Sequence, residues 1–184
     1  MLKPAPVILF LALLSVGCSK KTDSKTIGGP LAATSFENLD GWLADSPALY
    51  SLTRDKAHTG QYSTMVGPNH EFSLGYSNPL SRLAPDWPGK LTIGAWVYVP
   101  NEQATAKLVV EIKKTNSASA NLFWEGLAIT QPVKVYNKWQ YVEHTVTLPP
   151  AATANSRLLV YLWRADSRQP VYMDDLSISL ANQK

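Results

Sequence analysis

Two adjacent acids interrupt a segment near the end of the chain that otherwise alternates like a β-strand, VYMDDLSISL (Val171 to Leu180). Because strand side chains alternate between two faces, Asp174 is predicted to share a face with the apolar residues of this segment. A lone carboxylate on an apolar face is costly unless a cation or hydrogen-bond donors satisfy it. Asp174 is therefore predicted either to bind a metal ion or to anchor a hydrogen-bond network. Asp175, on the opposite face, is predicted to be solvated.

Aromatic residues are the second feature with chemical potential, since the chain has six Trp and eight Tyr. Sugar rings present apolar C–H faces that stack on flat aromatic surfaces. Trp96 and Tyr98 lie opposite an aliphatic face in LTIGAWVYV, so we expect them on the outer surface of a sheet as a stacking platform. Glu111 and Lys107, pointing the same way from the next strand, are expected to form hydrogen bonds with sugar hydroxyls.

Other aromatic residues leave two interpretations open. Tyr161 and Trp163 alternate in LLVYLW and are candidate ligand contacts, but either face of that strand could be core, since aromatic residues are good core residues. Further aromatic residues could flank this pair, namely Trp124 and Tyr141. Trp42 and Trp87 lie in predicted loops. They could line the rim of a binding site or fill one end of the folded domain.

The sequence gives little support for catalysis. It has no G-x-S-x-G elbow, glycine-rich phosphate loop or Cys-His pair, and its histidines lack metal-ligand spacing (His58, His70 and His144). Three acids lie in separate predicted strands, Glu111, Glu125 and Glu143, and two of them could form the carboxylate pair of a glycosidase across one face. Nothing in their spacing favours such a pair over solvated acids. We therefore predict no enzymatic activity, with a small polysaccharide-active enzyme as the weaker alternative.

The amino terminus has the pattern of a bacterial export signal. A lysine precedes a short apolar run, and a small residue precedes Cys18, the one cysteine of the chain. Cys18 resembles the lipid-modified cysteine of bacterial lipoproteins, which implies its lipidation. We predict a signal peptide over residues 1–17, a flexible tether over residues 18–33 and a domain over residues 34–184. By resemblance to the sorting rules of lipoproteins in Gram-negative bacteria, Ser19 after the cysteine implies anchoring in the outer membrane rather than the inner one.

The charge of the predicted domain excludes one class of partner. The net charge of the chain is +3, but four of its 17 basic residues and one of its 14 acidic residues precede residue 34. The domain is therefore balanced in charge and lacks the basic surface that nucleic-acid binding requires.

The remaining pattern predicts an all-β fold. Short alternating runs are separated by turn signals such as SNP, DWPG and LPP, and helical periodicity is nearly absent. Many short strands without intervening helices predict an antiparallel sandwich or barrel. Strands are predicted at residues 49–54, 61–66, 71–76, 91–99, 106–113, 121–129, 140–148, 158–164 and 171–180.

Six motifs, in order, resemble the landmarks of carbohydrate-binding modules with the galactose-binding-like jelly-roll β-sandwich: SFENLDGW, AHTGQYS, LTIGAWVYVP, WQYVEHTVTLP, LLVYLW and VYMDDLSI. In many such modules a structural calcium ion lies at the edge of the sandwich. The resemblance implies ligands from Glu37, from backbone carbonyls between Lys56 and Gly60, and from Asp174, and these oxygen donors suit calcium. The alternative is metal-free, with Asp174 accepting hydrogen bonds from a neighbouring loop and Glu37 a surface acid.

The resemblance and the aromatic residues together predict a tethered lipoprotein that binds a glycan or polysaccharide. The main alternative is an interaction or assembly subunit of a cell-envelope complex, because Tyr and Trp are also enriched at protein interfaces.

Overall fold

The computed structural model describes residues 29–42, 48–84, 89–116 and 118–181. The predicted signal peptide, Cys18 and Trp87 lie outside these ranges. The described residues form ten strands: β1 (Ala32–Thr34), β2 (Leu52–Thr53), β3 (Ser63–Val66), β4 (Tyr76–Pro79), β5 (Lys90–Tyr98), β6 (Lys107–Lys113), β7 (Asn121–Ala128), β8 (Trp139–Thr147), β9 (Arg157–Trp163) and β10 (Val171–Leu180). Two short 3-10 turns are present, Ala48–Ser51 and Leu80–Arg82. In these ranges no helix is long and apolar enough to span a membrane.

The strands form two antiparallel sheets packed face to face. The six-stranded sheet has the order β2-β3-β10-β5-β8, with β1 also paired to β10, and the four-stranded sheet has the order β4-β9-β6-β7. The alternating apolar residues of both sheets meet in one core, for example Ile93 and Val97 of β5 with Val110 of β6 and Val160 of β9. Strands β5 and β6 follow each other in the chain but belong to different sheets, so their outward side chains lie on opposite surfaces of the sandwich.

The predicted strands agree with the structure best where alternation is longest. The observed β5 to β10 lie within one residue of their predicted bounds. The segment at 49–54 is instead mostly a 3-10 turn followed by β2, and the strand predicted at 71–76 begins at Tyr76. The predicted tether, residues 18–33, extends too far at its end, because Ala32 and Ala33 belong to β1 and pair with Ile178 and Ser177 of β10.

A β-bulge changes the faces of β10. The register against β5 shifts between Asp174 and Ser177, and Asp175 has a positive φ of 47°. The bulge inserts an extra residue, so Asp174 lies on the outward face while Leu176 and Ile178 point into the core. The predicted sharing of a face between Asp174 and these two apolar residues was therefore wrong.

Candidate functional site

Aromatic and charged side chains gather on the outer face of the four-stranded sheet. Lys107 of β6 pairs with Trp163 of β9, and Glu111 of β6 pairs with Trp124 of β7. Their neighbours Leu108, Val110 and Ile112 point into the core, so these positions face outward. Four predicted ligand contacts, Lys107, Glu111, Tyr161 and Trp163, are thus brought together with the predicted flanking residue Trp124.

Two indole rings and one ammonium group form the centre of this face. The rings of Trp124 and Trp163 have centroids 6.2 Å apart at an angle of 77°. The Nζ atom of Lys107 lies 5.7 Å from the Trp124 centroid and 5.3 Å from the Trp163 centroid. Gly126 leaves room for this packing, because a Cβ there would lie 3.0 Å from the Trp124 ring and 3.2 Å from the Lys107 stem.

A buried carboxylate anchors the neighbouring part of the face. Glu111 is 7% exposed, accepts a hydrogen bond from the Tyr161 hydroxyl at 3.1 Å and lies 3.4 Å from Lys113 Nζ. Burial, followed by the charge of Glu111, raises the pKa of Tyr161. The hydroxyl therefore stays protonated at neutral pH and fixes both the tyrosine ring and the carboxylate.

Phe72 extends the aromatic surface and was not predicted as a site residue. It pairs with Trp163 in an isolated bridge, and its ring lies 5.8 Å from the Tyr161 ring. Phe72 is 42% exposed and Trp124 is 44% exposed, so both rings offer accessible surface. The signal in the sequence was an aromatic residue at the start of a predicted strand, but the alternation there did not show which partner strand it would meet.

The predicted platform of Trp96 and Tyr98 lies on the opposite surface of the molecule, on the outer face of the six-stranded sheet. Tyr98 is 8% exposed, is covered by Lys56 and Tyr172, and donates a hydrogen bond to Asn137 Oδ1. The prediction that Tyr98 projects into solvent was wrong, because loop and neighbouring-strand side chains cover it. Glu111 and Lys107 do not support this pair, since they belong to the other sheet.

Trp96 is partly buried by the loop that precedes β3. The imidazole of His58 stacks on it, with centroids 3.9 Å apart and planes 15° apart. Tyr141, predicted to flank Tyr161 and Trp163, instead lies 5.8 Å from Trp96 on the six-stranded sheet. Asp175, which was predicted to be solvated, lies 2.5 Å from His58 Nδ1 and accepts a hydrogen bond from the hydroxyl of Thr59 at 2.6 Å. That prediction was wrong because the bulge aims Asp175 at the loop.

The predicted calcium ligands Glu37 and Asp174 bind the two sides of the same loop. Asp174 is fully buried; its Oδ2 accepts the backbone N–H groups of His58 at 2.7 Å and Thr59 at 3.1 Å, and its Oδ1 accepts that of Asp175 at 2.7 Å. Burial raises the pKa of Asp174, while these donors act in the opposite direction.

Glu37 is held in the same manner. Its Oε1 accepts the N–H groups of Gln61 at 2.8 Å and Tyr62 at 2.7 Å, and a Cβ at Gly60 would lie 2.5 Å from this oxygen. The carbonyl of Lys56 accepts the hydroxyl of Ser63 at 2.5 Å.

Both carboxylates therefore accept hydrogen bonds from backbone N–H groups; the metal-free alternative predicted such donors for Asp174 and only a surface position for Glu37. In the described part of the chain, no three His, Cys, Asp or Glu side chains converge as metal ligands. The predicted site would take its other ligands from backbone carbonyls, and calcium stays a prediction from the resemblance.

The three acids considered for a glycosidase pair occupy different surfaces. Glu111 lies on the outer face of the four-stranded sheet, and Glu143 pairs with Gly94 on the six-stranded sheet. Glu125 pairs with core-facing Val110, and its Oε1 lies 3.3 Å from His144 Nε2 across the open edge. These acids therefore do not form a carboxylate pair across one face.

Trp42 belongs to the core. It is 6% exposed, and its ring meets Tyr76 edge-on at 5.2 Å. Its carbonyl accepts hydrogen bonds from the backbone of Ser77 and the side chain of Asn78. Trp42 therefore packs into the sandwich instead of lining a binding site, which is the second of the two interpretations given above.

Comparison with models of protein families gives no match, and comparison with curated proteins gives no significant match. Solved structures do match. The CBM22-1 xylan-binding domain of Paenibacillus barcinonensis Xyn10C has a TM-score of 0.54 and 20% identity, over 85% of this chain and 97% of that one. The C-terminal family 22 carbohydrate-binding module of Clostridium thermocellum Xyn10B has a TM-score of 0.55 and 16% identity, over 85% and 96%.

A family 16 carbohydrate-binding module matches with a TM-score of 0.51 and 18% identity, over 79% of this chain and 94% of that one. These likenesses confirm the predicted antiparallel jelly-roll sandwich and the resemblance in fold to carbohydrate-binding modules. Fold does not carry function by itself, so the function has to be argued from the site.

Proposed function

We propose that this protein is a non-catalytic glycan-binding protein whose ligand lies along the outer face of the four-stranded sheet. The observation that carries the proposal is the accessible aromatic surface formed by Phe72, Tyr161 and Trp163 on one side of β6 and by Trp124 on the other. Apolar faces of sugar rings stack on such surfaces, and polar groups among aromatic residues orient a ligand by hydrogen bonds.

The polar groups of this face are suited to sugar hydroxyls. Glu111 accepts from Tyr161 and lies beside Lys113, so an acceptor and a donor are held in fixed positions at the foot of the aromatic surface. Val109, between Lys107 and Glu111 on β6, is fully buried beneath these side chains. A rigid, apolar floor lowers the entropy lost when the ligand binds.

Three matched structures are named as xylan-binding domains, which supports a polysaccharide as the ligand class. We further propose that lipidation of Cys18 tethers the domain to the bacterial outer membrane, so that bound polymer is held near the cell. The support for this anchor is the export pattern and the position of the cysteine in the sequence.

Affinity electrophoresis tests the proposed site. The purified protein is run through gels that contain plant, algal and bacterial polysaccharides, beside Trp124→Ala and Trp96→Ala. We expect at least one polymer to retard the wild type and Trp96→Ala but not Trp124→Ala. Retardation lost in Trp96→Ala and kept in Trp124→Ala would move the site to the other sheet. Absence of retardation by every polymer would overturn the proposal and favour the protein-interaction alternative.

A further inference from the structure

The outer face of the four-stranded sheet carries more positive than negative charge. At the outward positions of β6 and β9 the basic residues are Lys107, Lys113 and Arg157, whereas the acid is Glu111. Glu111 is buried and lies 3.4 Å from Lys113, so its charge is already compensated. On β7, Glu125 belongs to the inward set and faces His144. The face therefore has a net positive charge although the predicted domain as a whole is balanced.

The ammonium group of Lys107 is the charged group nearest to the aromatic surface. Among the described residues, no carboxylate lies within 4.0 Å of its Nζ atom; instead the ammonium group lies between the two indole rings. The rings attract the ammonium group through their negative faces but do not neutralise it. The group is only partly exposed, so an anion that binds there would be screened less than one at a fully exposed lysine.

We propose that this site selects polysaccharides that carry carboxylates, that is, polymers containing uronic acids, and that Lys107 is the residue that recognises the carboxylate. The inference rests on the proposed function, because it needs a sugar ring stacked on this surface. With Lys107 Nζ 5.7 Å from the Trp124 centroid and 5.3 Å from the Trp163 centroid, a carboxylate on a sugar that covers either ring comes within reach of the ammonium group.

The chemistry favours a carboxylate over a hydroxyl as the partner of Lys107. A charge-assisted hydrogen bond is about twice as strong as one between neutral groups. Tyr161 already offers a neutral hydrogen-bonding group to sugar hydroxyls. The ammonium group of Lys107, which has no carboxylate partner among the described residues, therefore adds affinity for a carboxylated polymer over a neutral one. For an ion pair near the surface we expect a preference of about two- to fivefold in affinity, reduced by added salt.

The experiment compares polymers that differ only in whether they carry a carboxylate or a primary alcohol at the same carbon. Glucuronoxylan and polygalacturonate are each used in the native form and after reduction of their carboxylates to primary alcohols. Binding is measured by affinity electrophoresis and calorimetry for the wild type, Lys107→Met, Lys90→Met and Trp124→Ala. Lys90→Met is the matched control, because it removes one exposed charge from the end of β5 on the other sheet.

We expect the wild type to bind at least one native polymer about two- to fivefold more tightly than its reduced form, with the difference lost in 0.5 M salt, a concentration at which the Debye length is only about 4 Å. Lys107→Met should lose the difference between the native and the reduced form, and Lys90→Met should keep it. Equal wild-type binding of native and reduced forms, or a difference that persists in Lys107→Met, would overturn this inference. If those polymers are bound equally and Trp124→Ala loses them, the proposed function stands and the carboxylate preference fails. If no form of either polymer is bound, the carboxylate preference fails, and the wider panel of polysaccharides decides the proposed function.

Discussion

The imidazole of His58 stacks on the indole of Trp96 with 3.9 Å between their centroids, and its Nδ1 atom lies 2.5 Å from Asp175. One side chain thus connects the loop before β3 to β5 and to the bulge of β10. The stack covers a face of the indole that a sugar would need. Trp96 therefore stabilises the loop against the six-stranded sheet, and the face of its indole that His58 covers is not available to a stacked ligand.

Trp96→Ala should consequently lower stability and leave glycan binding unchanged. The substitution removes the stack with His58 and the contact with Tyr141 at 5.8 Å. Because Trp96 is only partly buried, we expect a loss of about 2 kcal/mol in the free energy of unfolding, below the range for a fully buried aromatic residue. Urea denaturation measures this loss, and calorimetry with the retained polymer gives the affinity. A variant of unchanged stability would show that the stack contributes little.

Gly75→Ala tests the close approach that places Phe72 beside β9. A Cβ at Gly75 would lie 1.9 Å from the carbonyl oxygen of Val160, a backbone atom that has no room to move. We expect the free energy of unfolding to fall by about 3 kcal/mol and glycan affinity to fall with it, because the segment must shift away from β9. Gly89→Ala is the control, since a Cβ there meets nothing within 4 Å. Similar urea midpoints for the two variants would contradict this prediction.

Asp174→Ala tests the anchor of the loop. The substitution removes the acceptor of three backbone N–H groups, those of His58, Thr59 and Asp175. A buried donor left unsatisfied costs about 1–3 kcal/mol, so we expect a loss of about 3 kcal/mol or more and a clear drop in Tm. Asp40→Ala, which changes an exposed loop acid, should leave Tm within about one degree.

The same melts test calcium. If a calcium ion binds at Glu37 and Asp174, EDTA lowers the Tm of the wild type but not that of Asp174→Ala. Added calcium then restores the Tm of the wild type. A wild-type Tm that EDTA leaves unchanged would contradict the calcium prediction and support the metal-free network.

The long strands and the fold class were predictable because alternation over seven or more residues leaves one arrangement that buries the apolar side. The surface that carries the accessible aromatic residues was not predictable from the sequence, because it depends on which sheet each strand joins. Consecutive strands such as β5 and β6 were expected to be neighbours, whereas β5 pairs with β8 and β10. Alternation within Leu91 to Val99 correctly set Trp96 opposite the core, but it contains no information about the loop that covers it.

The bulge in β10 shows a second limit. Alternation in VYMDDLSISL assigns Asp174 to the face of Leu176 and Ile178 only if the strand is regular. One inserted residue at Asp175 reverses that relation, and the cause is tertiary, since Asp174 and Asp175 each hold the loop that carries His58 and Thr59. The expectation that Asp174 needs a partner survives, because it followed from the cost of burying a charge rather than from the face.

The ring of Tyr76 gives the core a defined response to alkaline pH. Tyr76 is 4% exposed and packs edge-on against Trp42, and burial raises its pKa from 10.0 to about 12, with Arg82 acting in the opposite direction. Above pH 10 the hydroxyl ionises in the unfolded chain but not in the folded one, so ionisation favours unfolding. The stability contributed by Tyr76 is therefore complete below pH 10 and is lost as the pH rises through about 12.

Tyr76→Phe isolates this effect from the other tyrosines. Phenylalanine keeps the ring contact with Trp42 but has no ionisable hydroxyl. Two pKa units correspond to about 3 kcal/mol, so the free energy of unfolding of the wild type should fall relative to Tyr76→Phe by up to this amount between pH 10 and pH 12. Denaturant melts of both proteins from pH 8 to pH 12 measure the difference. If the two curves stayed parallel over that range, the hydroxyl of Tyr76 would have to ionise as readily in the folded protein as in the unfolded chain.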